Sequence, residues 1–523
     1  MLKRHIFGGI LLLLSLCSLL RSHYAIAGRQ RGARSTLGEQ ARAASPRRPY
    51  RALVRNQRMF SGYEKGPRWD PSFWGPWKDG WCPVHVIADA FIECARPQAP
   101  TLVLFSRLYR RTHTLNHSAL VIDVLDASRG TSFRLGAGVW ESNGLYESTA
   151  IGRYALPPHA SREAALACGP GSLAEPAYEY LTGRFTRPAD TVKLRVFYNV
   201  TEDYSQYYWT WDEAKGEEKD NPPPGLPYHG PTTAYLNVSR SPEPPRSDFA
   251  MVGIFSFSRY LLPVWLSYWR AIGVDTFYLF YNGPREVVEA GELQEELAWF
   301  EGSIVLVDWQ VIHWISTEPN DITHGQPIAI NTALQRWGHL HKFMAFYDSD
   351  ELLVTPNHDS LLDYFEDYRV RRGPVVALRS MCSWAKLTNL PQANLTSVRQ
   401  VRLEHLAVLP VERGRPGGRE KYIINMSAVQ AWDIRFINLH GVYSHQGQGT
   451  GPDGSAEVVS FEGALPAYHI HLLNKAEDDL SQVNDYRDIF MPQRGEEIKD
   501  WHLRDFLRRA LNKRIARHGG SAA

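Results

Sequence analysis

From Ala250 onward the chain alternates short apolar runs with stretches of helical periodicity. Ala250 to Phe257 reads as a buried strand, and Tyr260 to Ile272 places Leu262, Trp265, Leu266 and Trp269 on one helical face. Pro263 falls in the first turn, where its missing N–H costs nothing. Gly273 ends that helix, Val274 to Tyr281 is a second strand, Asn282 and Gly283 turn the chain, and Pro284 to Phe300 is predicted as one helix. Ser303 to Trp309 supplies a third strand. A third helix, with Ile330, Ala333, Leu334, Trp337 and His341 on one face, leads into the tight apolar run Phe343 to Tyr347. This succession predicts right-handed crossovers and a parallel sheet with helices on its faces, hence an α/β fold.

The preceding stretch, Trp81 to Ser241, has another rhythm. Val84 to Ile92, Leu102 to Leu108, Leu120 to Leu125, Val192 to Val200 and Tyr207 to Trp211 are short β-prone runs separated by Pro, Gly and Asn clusters. A β-rich domain, built as a sandwich, is the economical reading. The aromatic string Tyr207, Tyr208, Trp209 and Trp211 either packs within strands or stacks on sugar rings. Proline-rich segments at Asn221 to Pro227 and Ser241 to Arg246 mark the boundary with the α/β domain.

The fourth strand stops abruptly in three carboxylates, Asp348, Asp350 and Glu351. In open α/β sheets ligands bind outside the carboxyl ends of the strands, so acids there face a site and not a core. Two aspartates one residue apart suit a hard divalent cation, Mn²⁺ or Mg²⁺, shared with water and a diphosphate. That chemistry belongs to a transferase using a nucleotide sugar. No GxGxxG loop opens the first helix, which argues against a dinucleotide-binding dehydrogenase. A hydrolase built on paired carboxylates fits poorly, because acids this close share a cation more readily than they flank a glycosidic bond.

At 523 residues the chain is long enough for more than one core. Lys+Arg 58 against Asp+Glu 56 gives no bias towards nucleic acid. Locally the balance is uneven. Lys3 and Arg4 precede the apolar run Ile6 to Leu20, so residues 1–27 read as a targeting segment: either an uncleaved signal anchor or a signal peptide cleaved after Ala25-Ile26-Ala27. Both place the body in the secretory lumen; the anchor gives a single-pass type II protein. Residues 28–80 are expected to be a disordered basic stem, followed by the β-rich domain over 81–241, the α/β domain over 248–480 and a helical tail over 481–523. Sequons at Asn116, Asn199, Asn237, Asn394 and Asn425 fit a luminal protein. Cys82, Cys94, Cys168 and Cys382 allow two disulfides in any of three connectivities, and no spacing suggests a structural zinc.

The order RYLLPVWLSYWRAIGVDTFYLFYN, GQPIAINTALQRWGHLHKFMAFYDSDELL, KYIINMSAVQAWDIRFINLH and AYHIH, spanning Met251 to Leu473, resembles the family-92 glycosyltransferases. The resemblance implies a GT-A, Rossmann-like nucleotide-sugar-binding domain. It also implies inverting transfer of galactose from UDP-galactose to a glycan or glycoprotein acceptor, usually in β-1,4 linkage, in Golgi membranes. Two departures bear on donor and acceptor: Ser258 and Arg259 replace an acidic or Asn-Glu start to the first helix, and the last block reads His471, Leu472, Leu473.

Carried onto this sequence, the resemblance makes Asp350 the most direct metal ligand and gives Asp348 the ribose or a metal-bound water. Glu351 either orients the pair or caps the next helix. His471, with His469 second, completes the metal shell or packs in the core. Gln326 at a helix start holds the UDP-sugar donor, Lys421 neutralises its diphosphate, and His440 lines the cleft or is structural. The acceptor-side base is not identified; Asp433 and Glu420 lie in the region expected to face the acceptor. Val411 to Arg419 is either a lid or an insertion, and Trp384 either stacks on a sugar or packs. The competing reading is a catalytically inactive glycan-binding or scaffold protein on the same fold.

Overall fold

The computed structural model describes residues 49–57, 59–61, 84–94, 100–107, 120–126, 130–142, 149–156, 191–198, 210–212, 217–219, 233–255, 259, 261–311, 314–318, 321–324, 326–349, 351–355, 358–372, 377–380, 382–386, 421–427, 434–438, 441–444, 458–460 and 468–473. The targeting segment, the aromatics Tyr207 to Trp209, the Val411 to Arg419 loop and the C-terminal tail lie outside them.

Within the stem expected over residues 28–80, residues 51–55 form a strand. Strand β1 (Arg51–Arg55) is buried over Ala52, Leu53 and Val54 and pairs in parallel with Ser303–Asp308. Its arginines are structural. The Arg51 guanidinium donates to the Phe300 and Gly302 carbonyls, and Arg55 reaches Glu289 at 3.4 Å and Asp308 at 3.8 Å. Three apolar residues between arginines are too short a run to stand out from a basic stretch.

The β-rich domain is the sandwich its rhythm predicts. One antiparallel sheet joins β2 (Asp89–Glu93), β3 (Thr101–Arg107), β6 (Val139–Ser142) and β7 (Thr149–Ala155); the other joins β4 (Leu120–Asp126), β5 (Thr131–Arg134), β8 (Thr191–Tyr198) and β9 (Ala234–Ser239). Alternate residues meet between them, with Ala90, Ile92, Leu102 and Leu104 against Ile122, Val124, Leu194, Val196 and Val238. The other face of the first sheet carries Phe91, Val103, Phe105 and Ile151 into the core of the α/β part.

That part is an eight-stranded sheet. Its members are β1, β10 (Ser247–Phe255), β11 (Thr276–Tyr281), β12 (Ser303–Asp308), β13 (His341–Phe346), β15 (Ala377–Ser380), β17 (Lys421–Asn425) and β18 (Val458–Ser460), in the order β1-β12-β11-β10-β13-β17-β15-β18. From β1 to β13 all neighbours are parallel, and β17 then runs antiparallel to β13. Strands buried on both faces need apolar residues at successive positions, which is why β10, β11 and β13 read as unbroken runs. Phe249, Met251, Phe277, Leu279, Phe343 and Ala345 face one side. There they meet α1 (Leu262–Ala271), α2 (Arg285–Glu289), α3 (Glu292–Glu296) and α5 (Leu361–Arg372). Ala250, Val252, Tyr278, Phe280 and Met344 face the other, where α4 (Gln326–Trp337) and the sandwich cover them. Gly253 admits α1: a Cβ there would lie 2.8 Å from the Trp265 ring.

Two expected boundaries change. The helix predicted over Pro284 to Phe300 is two short helices, because Gly291 at φ 82° breaks the hydrogen-bond ladder between them. His341, expected on the third helix, opens β13 after the 3₁₀ turn Gly338–Leu340. Every residue of α4 is buried, its polar ones included. Arg336 pairs with Asp89 at 2.7 Å and donates to Ser241 at 3.1 Å, while Gln335 accepts from Arg153 at 2.9 Å. The polar face of that helix therefore docks on the sandwich.

Candidate functional site

The strand order reverses at β10, whose neighbours are β11 on one side and β13 on the other. Crevices open at the carboxyl ends of strands where such a reversal occurs. One is present here, lined by Val252 and Ile254 of β10, Phe346, Tyr347 and Asp348 at the end of β13, Gln326 and Ile330 of α4, and Lys421 and Tyr422 of β17.

Asp348 is its polar centre. Oδ1 accepts from Gln326 Nε2 at 2.8 Å, and Oδ2 accepts from Lys421 Nζ at 2.6 Å. The register Phe346↔Tyr422 places Lys421 just beyond the last paired residue of β13, level with the turn into the acids. Glu351, which opens β14 (Glu351–Val354), is buried and folds back: its Oε2 accepts from the Asp348 backbone N–H at 2.8 Å and lies 3.3 Å from Lys421 Nζ. The Glu351 N–H donates in turn to the Asp348 carbonyl at 3.0 Å. Glu351 begins a strand and does not cap a helix, and its carboxylate contacts the backbone of Asp348.

Four of the residues singled out in the sequence, Gln326, Asp348, Glu351 and Lys421, therefore meet. Asp350 lies outside the described residues, as do Asp433, Glu420 and His440. His471 is placed by its backbone alone. It lies on β19 (Tyr468–Leu473), the central strand of a three-stranded sheet with β14 and β16 (Cys382–Lys386), in register with Glu351 on one side and Trp384 on the other. Backbone pairing thus brings three residues from the sequence reading to one level beside the acidic turn. Asp308, which the sequence reading passed over, ends β12 on the same sheet edge. It is fully buried, accepts from Gln310 Nε2 at 2.8 Å, and has Arg285 Nε at 3.4 Å. An acid closing an apolar strand, as in SIVLVD, was its available signal.

A divalent cation needs oxygen donors facing the crevice. Asp348 qualifies, since its side chain is 32% exposed and each carboxylate oxygen can accept more than one partner. Glu351 does not, being buried and committed to Lys421 and the Asp348 N–H. Among the described residues no group of three or more His, Cys, Asp or Glu side chains is placed to hold an ion.

Residues 251–446 match the family model for glycosyltransferase family 92. The chain carries a family-92 glycosyltransferase domain. The match runs from β10 past the acidic turn and Lys421, so the crevice belongs to that domain. No curated protein matches the chain. Among solved structures it is similar to S. aureus TarS residues 1–349, with 13% identity over 51% of this chain and 72% of that one at a TM-score of 0.20. For a second S. aureus TarS structure the values are 11% identity, 51% and 44% coverage and a TM-score of 0.21. Mouse xyloside xylosyltransferase 1 in its apo form gives 13% identity, 35% and 68% coverage and a TM-score of 0.18. At such scores these likenesses add nothing to the strand order already described. The family-92 domain lies in a mixed α/β structure with a parallel-rich sheet, preceded by antiparallel sheets.

Proposed function

We propose that the family-92 domain transfers galactose from UDP-galactose, with inversion, to a glycan acceptor in the Golgi lumen. The observation that carries this reading is Asp348 at the carboxyl end of β13, held by Gln326 and Lys421 where the strand order reverses. The acceptor hydroxyl attacks the anomeric carbon, the bond from that carbon to the diphosphate breaks, UDP leaves, and the hydroxyl proton passes to a base. Asp348 and Asp350, with His471 in register with the adjacent Glu351, would hold a Mn²⁺ or Mg²⁺, which would supply positive charge to the departing diphosphate. Gln326 fixes the direction of the Asp348 carboxylate, and Glu351 fixes its backbone. The galactose and the β linkage rest on the family resemblance, since the acids engage a diphosphate and not a hexose.

The location rests on the amino-terminal Lys3, Arg4 and apolar run, on the exposed sequon at Asn237, and on the disulfide at Cys94, which suits an oxidising lumen. Incubation with Mn²⁺ and a panel of nucleotide sugars, followed by UDP release and NMR of the product's anomeric proton, tests the assignment. Preferential turnover of UDP-galactose to a β-linked product is expected. Preference for another nucleotide sugar, or an α-linked product, would reject the galactosyl assignment.

A further inference from the structure

Lys421 occupies an unusual position for a residue of a cation-binding site. Its ammonium lies 2.6 Å from Asp348 Oδ2 and 3.3 Å from Glu351 Oε2, on a side chain that is 6% exposed. When two neighbouring carboxylates share one divalent ion, the ion sits between them. Here an ammonium does. An ion could take that place only by displacing the buried Lys421 ammonium from both carboxylates, which is unfavourable. Glu351, 3% exposed and already accepting from the Asp348 N–H, is likewise unable to turn towards the crevice without losing that bond and its contact with Lys421.

We propose that Lys421 is a resident cation of the donor site, compensating Asp348 and Glu351 so that a nucleoside diphosphate is accepted with no divalent ion between those two acids. This inference rests on the donor reading above and deepens it. Without Lys421 the incoming polyanion would meet two uncompensated carboxylates; with it, the described cluster carries a net charge of −1 (two acids, one ammonium). Like charges a few ångströms apart in a partly desolvated crevice repel strongly, so a single compensating charge decides whether a diphosphate can enter. Donor binding then has two separable parts: one from Lys421, present at all times, and one from an ion on the exposed side of Asp348, for which the family resemblance implies Asp350 as a ligand.

UDP binding to the full-length chain, measured by calorimetry in EDTA and in Mn²⁺, separates the parts. The wild type is expected to bind UDP in EDTA, and more tightly in Mn²⁺. Lys421→Met should weaken binding at least tenfold in both conditions. Asp350→Asn should lose only the Mn²⁺ increment. The deciding variant is Lys421→Met/Glu351→Gln, which restores the net charge, leaves an amide oxygen to accept from the Asp348 N–H, and removes the buried negative charge. Its affinity in EDTA should return towards the wild-type value. Should Lys421→Met alone fail to fold, as read from its thermal melt, the double variant is compared with the wild type directly. Wild-type protein that binds UDP only with Mn²⁺, Lys421→Met that binds as well as wild type in EDTA, or a double variant with at least tenfold weaker binding than wild type would each overturn the proposal. No UDP binding by the wild type even in Mn²⁺ would instead refute the donor reading, and this inference with it.

Discussion

The two ends of β13 carry polar clusters of opposite character. At its start His341 is buried, with Nδ1 2.9 Å from Ser247 Oγ and Nε2 2.6 Å from the hydroxyl of Tyr278, on which the Trp337 ring stacks at 4.3 Å. Just past its end Asp348 is part-exposed, between an amide and an ammonium, at the mouth of a crevice. Both clusters contain titratable groups from neighbouring strands. At the first, burial pushes the imidazole down to about 3, so the ring is neutral and its two partners absorb its donor and acceptor. At the second, opposite charges are retained beside open space. A polar cluster becomes a site when its charges are held at a strand's carboxyl end beside a crevice; the neutral polar groups at the amino end serve as packing.

Substitutions at the two ends should therefore separate function from stability. The largest effect is expected at Asp348. Asp348→Asn keeps the Gln326 and Lys421 partners in place sterically but removes the charge, and turnover should fall about 10²–10³-fold, as when one fixed electrostatic group is removed from an active site. Its thermal melt should stay near wild type, because the side chain is part-exposed. A variant that melted early and kept its turnover per folded molecule would exchange the roles of the two clusters.

His341→Ala is the converse. It opens a cavity and leaves the Tyr278 and Ser247 hydroxyls without their ring partner, at a cost of ~2–4 kcal/mol in denaturant titration. Turnover per folded molecule should remain within about twofold, since the affected groups lie a strand's length, roughly 20 Å, from the crevice.

How much of this contrast was legible in the sequence depends on the distance over which each feature is encoded. The parallel strands and the acidic turn were readable because they are local: an apolar run buried on both faces, then an abrupt change to Asp348, Asp350 and Glu351. The partner of Asp348 was named but not paired with it, because Lys421 comes from 73 residues away and arrives through the antiparallel register of β17. Long-range pairing likewise hid the role of α4, whose Arg336 meets Asp89 across 247 positions, so that its polar face forms a buried seam with the sandwich. Strand β1 was missed for the opposite reason: three apolar residues give too little pattern, and the arginines beside them look like a tether until backbone carbonyls are found to receive one of them.

The amino-end cluster also predicts a pH dependence. The folded state holds His341 neutral down to about 3, whereas an unfolded histidine takes up a proton near 6.5. Above 6.5 neither state binds that proton and this group leaves stability unchanged. As pH falls below 6.5 only the unfolded chain gains it, so stability declines by up to about 1.4 kcal/mol per unit until the folded ring titrates. Between pH 7 and 5 the loss from this group should be about 2 kcal/mol. Denaturant titrations across that range should show the slope in wild type, and a flatter one in His341→Ala. Equal slopes in both proteins would mean that another group is responsible.

The smallest expected effect lies within the crevice, at Gln326. Its amide donates to Asp348 Oδ1 at 2.8 Å from the first turn of α4, and it carries no charge of its own. Gln326→Leu keeps the bulk and removes the donor, leaving the carboxylate charged and still paired with Lys421. A hydrogen bond to a charged group contributes about 1.5–3 kcal/mol, but Asp348 is open enough for water to replace part of it. The expected outcome is a rise in donor KM of about tenfold, equivalent to about 1.4 kcal/mol, with a smaller change in kcat and a melt near wild type. A split of that kind marks Gln326 as a residue that aims the carboxylate at the donor. A loss as deep as that of Asp348→Asn would mean that the amide itself engages the reacting groups, and the contrast between a charged centre and its neutral support would have to be redrawn.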